Sequence, residues 1–227
     1  RFEEAFHDYP FCLLNDTACF AYAEYVFANI TEPNFAYINV SKGVGACLFA
    51  NGKMLRGAGG NATQFGHFSV DRNGPLCACG NHGCVERVVG ENALTERAEA
   101  CGIDLTRFAG RKPLYCDIGA MAEDGDAHAK ELIKDLAVDL SFAISNLITL
   151  FNPSLVVIGG MGVNLGPFFL SNIRDEVQNS GFKEFVSNTW IQYSTLGLDS
   201  ELGGAARYYI DHYYDFFEQM QGGLYAD

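Results

Sequence analysis

The order of apolar and polar residues predicts short strands and amphipathic helices in alternation. Residues 35–40 alternate moderately, residues 45–50 are apolar, and residues 53–56 follow an Asn51-Gly52 pair. Asn-Gly between two such runs is typical of a tight hairpin, so the last two stretches are predicted to pair. Further apolar runs predict strands at 12–14, 155–158 and 190–193. The run 155–158 is continuously apolar, which is typical of a buried parallel strand.

The longest helical pattern covers residues 127–151. Its apolar residues recur at three- and four-residue spacing from Ala129 to Ile148, as on one buried helix face. Asn152-Pro153 ends the pattern, because the residue before proline avoids the helical conformation. Shorter helices are predicted from the Asp16-Thr17 pair, either residue of which is the expected N-cap, and at 91–100, 168–179 and 202–217. Strands that alternate with helices predict an α/β fold with a mixed sheet.

Composition and charge exclude several classes of protein. The chain has 227 residues, 48% of them hydrophobic, which is enough to bury a large core. Its net charge of −13 argues against nucleic-acid binding through its own surface, since phosphate binding needs clustered Lys and Arg. No apolar run is long enough to cross a membrane, so no membrane partner is expected. The eight cysteines, without a signal-peptide pattern, predict reduced thiols and a cytoplasmic location.

The strongest chemical signal is a cluster of His67, Cys77, Cys79 and Cys84. Thiolates and an imidazole at this spacing favour Zn²⁺ over Mg²⁺ or Ca²⁺, which prefer oxygen ligands. Four protein ligands fill a tetrahedral shell, so the zinc is predicted to be structural. His82 competes with His67 as the fourth ligand, but it would form a cramped chelate between Cys79 and Cys84. The alternative is a loop of unpaired thiols.

Two acidic residues lie at the N-termini of predicted helices. Asp16, after Asn15, follows the predicted strand at 12–14 and opens a helix, where a carboxylate can point into a cleft. The simplest interpretation of Asp16 is an N-cap. Glu86 follows the last cysteine of the cluster, and there a carboxylate is favoured by the helix dipole.

Residues 66–86, which contain Cys-x-Cys-Gly-x-x-Gly-Cys, resemble the signature of the ROK family of sugar kinases and sugar-responsive regulators. The likeness extends along the chain to residues 15–18, 43–45, 57–67, 159–160 and 202–206. It implies the actin-like ATPase (ribonuclease H-like) fold, with this chain covering mainly the C-terminal domain and its zinc-binding loop at 66–86. Residues 1–34 would end the N-terminal subdomain and carry part of the sugar site, and residues 35–227 would form the C-terminal subdomain.

The resemblance also implies roles for single residues. A sugar would be held by Asn15, Asp16, Gln64, His67 and Glu86, with His67 also binding zinc. In a kinase, Asp16 would be the general base that takes a proton from the sugar hydroxyl. ATP, with Mg²⁺, would then lie against Gly43, Gly45, Gly159 and Gly160, and residues 202–206 would form a second adenosine-side turn.

Two functions follow from the resemblance. The first is the effector domain of a ROK-type transcriptional regulator, which would bind a sugar or a sugar phosphate and would reach DNA only through an N-terminal domain upstream of Arg1. The second is an ATP-dependent hexose or N-acylhexosamine kinase. Ser41 and Lys42 replace the Gly-Thr of the kinases' phosphate loop, and Gln64 replaces a glutamate, which favours the regulator. The partners expected are a sugar and further copies of the chain, as a dimer or tetramer.

Overall fold

The computed structural model describes Glu4, residues 11–60 and residues 62–214. The chain forms two compact units. One contains the residues up to Ile30 and from Leu196 onward, and the other contains Thr31–Thr195. These units differ from the predicted subdomains, 1–34 and 35–227, because residues from 196 onward group with the first segment.

A five-stranded mixed sheet forms the centre of the larger unit, in the order β3-β2-β1-β4-β5. Its strands are β1 Phe35–Val40, β2 Val44–Ala50, β3 Lys53–Met54, β4 Leu155–Gly159 and β5 Trp190–Tyr193. β1 pairs antiparallel with β2 and parallel with β4, and β4 pairs parallel with β5. The predicted mixed sheet is therefore confirmed. The predicted third strand is shorter than expected and ends at Met54.

Eight helices are present among the described residues. The smaller unit contains α1 (Asp16–Phe27) and α8 (Ser200–Tyr213). The larger unit contains α2 (Val85–Val89), α3 (Glu91–Ala100), α4 (Tyr115–Glu123), α5 (Ala127–Phe151), α6 (Gly166–Asn179) and α7 (Lys183–Val186). Short 3₁₀ helices occur at Phe65–His67, Leu105–Phe108 and Met161–Leu165. No helix within 11–60 or 62–214 combines the length and the apolar character of a membrane span.

The core of the larger unit lies between one face of the sheet and the helices. Ala36, Ile38 and Val40 alternate along β1 and contribute to one buried apolar cluster. The buried stripe of α5, including Leu136 and Leu140, belongs to the same cluster. The helical spacing seen in the sequence therefore corresponds to the face that packs on the sheet.

Both ends of α5 have side-chain or backbone caps. Asp126 is the N-cap, and its carboxylate accepts a hydrogen bond from the Ala129 amide at 3.0 Å. At the other end Asn152 adopts the left-handed conformation, with φ of 49°, and its amide donates to the Ile148 carbonyl at 2.8 Å. Pro153 then prevents continuation of the helix.

Replacing Asp126 with alanine should lower the free energy of unfolding by about 1 kcal/mol, because the Ala129 amide loses its partner. Asp126→Asn keeps a capping oxygen and should lose only the smaller contribution of the charge. The Ala129 hydrogen bond lowers the pKa of Asp126 below its usual range. The charge contribution is therefore present above the unfolded-state pKa near 3.9 and is lost as pH falls. Urea unfolding of both variants at pH 7 and pH 3 measures these effects; equal losses for both at pH 7 would contradict the cap.

The two helices of the smaller unit approach closely. A Cβ on Gly204 would lie 1.9 Å from the Cys19 carbonyl oxygen, so this position of α8 accepts only glycine. Tyr22 donates to the Asp211 carboxylate at 2.7 Å, and its ring packs edge-on against Tyr208 at 5.0 Å. Residues 202–206 are helical, as the residue pattern predicted, so the turn that the resemblance implied for them is wrong. Their glycines instead allow close helix packing. The predicted extension of this helix to residue 217 lies outside the described residues.

Two local predictions need correction, and a helix of nine residues was missed. Residues 12–14 form no strand, and Leu13 is 64% exposed, so this apolar run is not a buried strand. Asn15, rather than Asp16 or Thr17, is the N-cap of α1, and its side chain accepts from the Ala18 amide at 2.7 Å. Helix α4 was not predicted. Gly119 interrupts its pattern, because a Cβ there would lie 2.0 Å from the Asn164 carbonyl oxygen.

Candidate functional site

The predicted metal ligands come together in the larger unit. The 3₁₀ helix Phe65–His67 presents His67, and the following loop brings up the three cysteines. One ligand atom from each of His67, Cys77, Cys79 and Cys84 lies within 4.8 Å of all the others. The Cys79 and Cys84 sulfurs are 3.6 Å apart, and so are Cys77 Sγ and His67 Nδ1. This group could hold a metal ion.

These separations fit a tetrahedral zinc ion. Zinc–sulfur bonds of about 2.3 Å place two sulfurs of a tetrahedron roughly 3.8 Å apart. The sulfur–sulfur distance of 3.6 Å is close to this edge and far longer than the ~2.05 Å of a disulfide bond. Three sulfurs and one imidazole nitrogen form a closed donor set, which suits a structural ion.

Backbone contacts shape the loop around the four ligands. The Cys77 amide donates to the Asn81 carbonyl at 2.8 Å, and the Val70 amide donates to the Gly83 carbonyl at 2.8 Å. Gly83 has φ of 58°, and a Cβ there would lie 1.8 Å from the Asp71 carbonyl oxygen. Glycine is therefore required where the loop turns back toward Cys84.

His82 has a different role from His67. Its Nδ1 lies 3.0 Å from the Gly74 carbonyl oxygen, and the residue forms an isolated β-bridge with Leu76. It is exposed and is not part of the four-ligand group. The preference for His67 over His82 as the imidazole of the cluster is consistent with this arrangement.

The thiols of the cluster differ in their environment. Burial, together with the nearby Cys77 and Cys79 sulfurs, raises the pKa of Cys84 to about 12. A backbone hydrogen bond at Asn81 lowers the pKa of the exposed Cys79. An incoming cation must therefore displace a proton from Cys84, as metal binding to thiols requires.

Glu86 connects the metal loop with the hairpin turn between β1 and β2, which comprises residues 41–43. It lies in the first turn of α2, directly after Cys84 and Val85. Its Oε2 accepts a hydrogen bond from the Val44 amide at 3.3 Å, and a Cβ on Gly43 would lie 2.6 Å from the same oxygen. Two predicted site residues, Glu86 and Gly43, are therefore adjacent.

Ser41 links this hairpin turn to the turn after β4. Its hydroxyl accepts from the Met161 amide at 3.1 Å and lies 3.0 Å from Asn39 Oδ1, to which it donates. A Cβ on Gly160 would lie 2.5 Å from the Ser41 hydroxyl oxygen, and Gly160 itself has φ of 79°. The two glycine segments predicted to hold ATP thus meet at one serine side chain.

The remaining predicted residues lie partly in the sheet and partly outside it. Gly45 lies in β2 and Gly159 in β4, and each is opposite Asn39 of β1. Gln64 directly precedes the 3₁₀ helix that carries His67. Asn15 and Asp16 belong to the smaller unit, where Asp16 accepts a hydrogen bond from the Thr17 amide at 2.7 Å.

One residue near this site was missed by the sequence analysis. Tyr115 opens α4, is fully buried, and places its hydroxyl 3.0 Å from the Ser41 carbonyl oxygen. The available sequence signal is a lone tyrosine after Leu114 in a weakly patterned stretch, which does not identify a hydrogen-bond partner 74 residues away.

Comparison with known proteins places the chain in a protein family. A family model described as the ROK family matches residues 2–211. The xylose repressor of Bacillus subtilis is 28% identical over 210 residues, which cover 92% of this chain and 53% of the repressor. The DNA-binding transcriptional dual regulator NagC of Escherichia coli is 30% identical over 199 residues, or 85% of this chain and 48% of that protein.

A solved structure has a similar fold. The ROK family glucokinase from Streptomyces griseus, in complex with glucose and AMPPNP, matches with a TM-score of 0.76 and 26% identity over 91% of this chain and 70% of that chain. The mixed sheet and its helices define a protein with the actin-like ATPase (ribonuclease H-like) fold. The chain belongs to the ROK family, whose model covers nearly its whole length. It spans about half the length of the curated relatives it matches.

Proposed function

We propose that the chain is the sugar-binding effector part of a ROK-type transcriptional regulator. The sugar would be held by Asn15, Asp16, Gln64, His67 and Glu86, and a structural zinc ion would orient His67. An imidazole that binds metal through one nitrogen has a fixed orientation, so its other nitrogen is a good hydrogen-bond partner for a sugar hydroxyl. DNA would be contacted through a separate N-terminal domain, as the acidic charge of this chain requires.

The observation that carries the choice of a regulator is the position of Ser41. Its hydroxyl accepts a hydrogen bond from the Met161 amide and donates one to Asn39. The Ser41 side chain therefore fills the space between the hairpin turn and the turn after β4, where a nucleotide would have to bind. Glycine at this position would leave both the space and the amide available for phosphate oxygens. The neighbouring Lys42 adds one positive point charge to this turn.

A kinase is the second candidate, favoured by the similarity to the glucokinase and by the position of Asp16 at a helix start. In that case Asp16 would accept a proton from the sugar hydroxyl during phosphoryl transfer. ATP and Mg²⁺ would lie near Gly43, Gly45, Gly159 and Gly160.

Calorimetric titration of the intact protein with D-xylose, D-glucose and N-acetylglucosamine tests the proposal. At least one sugar should bind, and Glu86→Gln should weaken its binding about tenfold, since a hydrogen bond to a charged group is lost. Gln178→Ala, on α6, is the control and should bind normally. Sugar-dependent ADP formation that Asp16→Asn abolishes would instead establish the kinase.

The proposed sensor would act as an oligomer, a dimer or a tetramer. Helix α5 presents exposed apolar residues such as Phe142 and Leu150, which are 51% and 82% exposed. Large exposed apolar groups of this kind are common at protein interfaces. Sedimentation of the intact protein at micromolar concentration should show more than one copy, and a monomer would contradict this part of the proposal.

A further inference from the structure

We propose that Tyr115 is a positioning residue for the candidate sugar site, because its hydroxyl sets the distance between the hairpin turn at 41–43 and the helix that carries Glu86. This inference rests on the proposed sugar-binding function. Tyr115 itself is buried and would contact no sugar.

The hydroxyl of Tyr115 lies between two backbone carbonyls. It is 3.0 Å from the Ser41 oxygen, in the hairpin turn, and 3.0 Å from the Val89 oxygen, at the end of α2. A phenol has one hydrogen, so it donates to one carbonyl at a time and is shared between them. Burial raises the pKa of Tyr115, so the hydroxyl remains protonated and keeps its donor role.

The turn and α2 are in close contact on both sides of this hydroxyl. A Cβ on Gly43 would lie 2.6 Å from Glu86 Oε2, and a Cβ on Gly90 would lie 3.3 Å from the Lys42 carbonyl oxygen. The turn therefore cannot move closer to the helix without steric clashes. A shift of a few tenths of an ångström changes the position of the Glu86 carboxylate.

The Val44 amide reports on this spacing. The backbone amide of Ser41 donates to the Gly43 carbonyl at 2.9 Å, so residues 41 and 43 form a hydrogen-bonded pair of the hairpin. Pairs alternate along an antiparallel hairpin, so the next pair, Val40 and Val44, is not hydrogen-bonded. The Val44 amide therefore points away from β1, where Glu86 Oε2 accepts from it at 3.3 Å. At 3.3 Å this bond is slightly longer than the usual 2.7–3.2 Å, so it is lost if the turn moves outward.

Tyr115→Phe removes the hydroxyl and leaves the ring in the core. The matched control is Tyr193→Phe, because Tyr193 is a second tyrosine of the larger unit whose hydroxyl donates to a backbone carbonyl, that of Gly166 at 2.8 Å. Both changes delete one oxygen and one side chain-to-backbone hydrogen bond. A purely structural role for Tyr115 predicts similar effects of the two variants on every measurement.

Two measurements on the intact protein separate the roles. Hydrogen exchange at the Val44 amide should be about tenfold faster in Tyr115→Phe than in the wild type and unchanged in Tyr193→Phe. For whichever of D-xylose, D-glucose and N-acetylglucosamine the wild type binds, the dissociation constant should rise about fivefold in Tyr115→Phe only.

The outcomes distinguish this inference from the function on which it rests. If the wild type binds none of the three sugars, the proposed function fails, and Val44 exchange still decides whether Tyr115 positions the turn. If the wild type binds a sugar and Glu86→Gln weakens it, but Tyr115→Phe and Tyr193→Phe behave alike in both measurements, the positioning role is overturned.

Discussion

Replacing Cys79 with serine is expected to lower the free energy of unfolding by more than about 4 kcal/mol in zinc-loaded protein, the range reached when a bound metal is lost. Cys79 is exposed, so its thiol contributes little through packing. Its sulfur is 3.6 Å from Cys84 Sγ, and its removal leaves three ligands for a tetrahedral ion. Zinc content by mass spectrometry and thermal unfolding with and without chelator measure the effect.

The matched control for this variant is Cys116→Ser, which removes another exposed thiol, on α4, outside the four-ligand group. It should retain zinc and unfold at the wild-type temperature. Sugar affinity should fall in Cys79→Ser as well, since the loop positions His67 and Glu86. Wild-type protein from which the metal has been verifiably removed, but which unfolds and binds sugar as before, would contradict a structural zinc site.

The sequence was most informative where local chemistry alone determines structure. The cysteine spacing predicted a four-ligand group, and the long apolar stripe of α5 predicted a helix whose bounds, Ala127–Phe151, are those found. Both features depend on residues close together in sequence. They can be recognised without knowing how distant segments pack.

Prediction failed where distant packing decides the outcome. The resemblance assigned Gly204 to a turn, although the residue pattern predicted a helix there. Gly204 lies within α8, where the Cys19 carbonyl of α1 leaves no room for a side chain. Helix α4 was missed for a similar reason. Gly119 interrupts its helical pattern, but glycine is needed there because the Asn164 carbonyl oxygen leaves no room for a side chain. A glycine required by close approach and a glycine required by a turn look the same in a single sequence.

The residues of the candidate sugar site could be predicted only in part, because some of their contacts are local and others depend on distant packing. Glu86 was identified by its position after the last cysteine, but its contact with the Val44 amide depends on the register of the β1–β2 hairpin. The role of Ser41 follows only from the pairing of β1 with β4, which brings the turn at 160–161 beside it. Long-range strand pairing is not encoded in local patterns.

Gly66→Ala is expected to cost roughly 3 kcal/mol or more, because overpacking against rigid backbone cannot be relieved by a change of rotamer. A Cβ on Gly66 would lie 1.9 Å from the Val44 carbonyl oxygen and 2.9 Å from its carbon. The 3₁₀ helix Phe65–His67 must then move away from β2. Zinc affinity should fall with stability, since His67 is the next residue.

Gly59→Ala is the control, since it makes the same substitution seven residues earlier, where no atom lies within 4 Å of the added Cβ. Chemical unfolding and zinc titration of the two variants should show a large loss for Gly66→Ala and almost none for Gly59→Ala. Wild-type stability and zinc affinity in Gly66→Ala would mean that the 3₁₀ helix is not held against Val44. The close contact between Gly66 and Val44 would join the metal loop to the hairpin that Glu86 contacts, so damage there should affect both zinc and sugar binding.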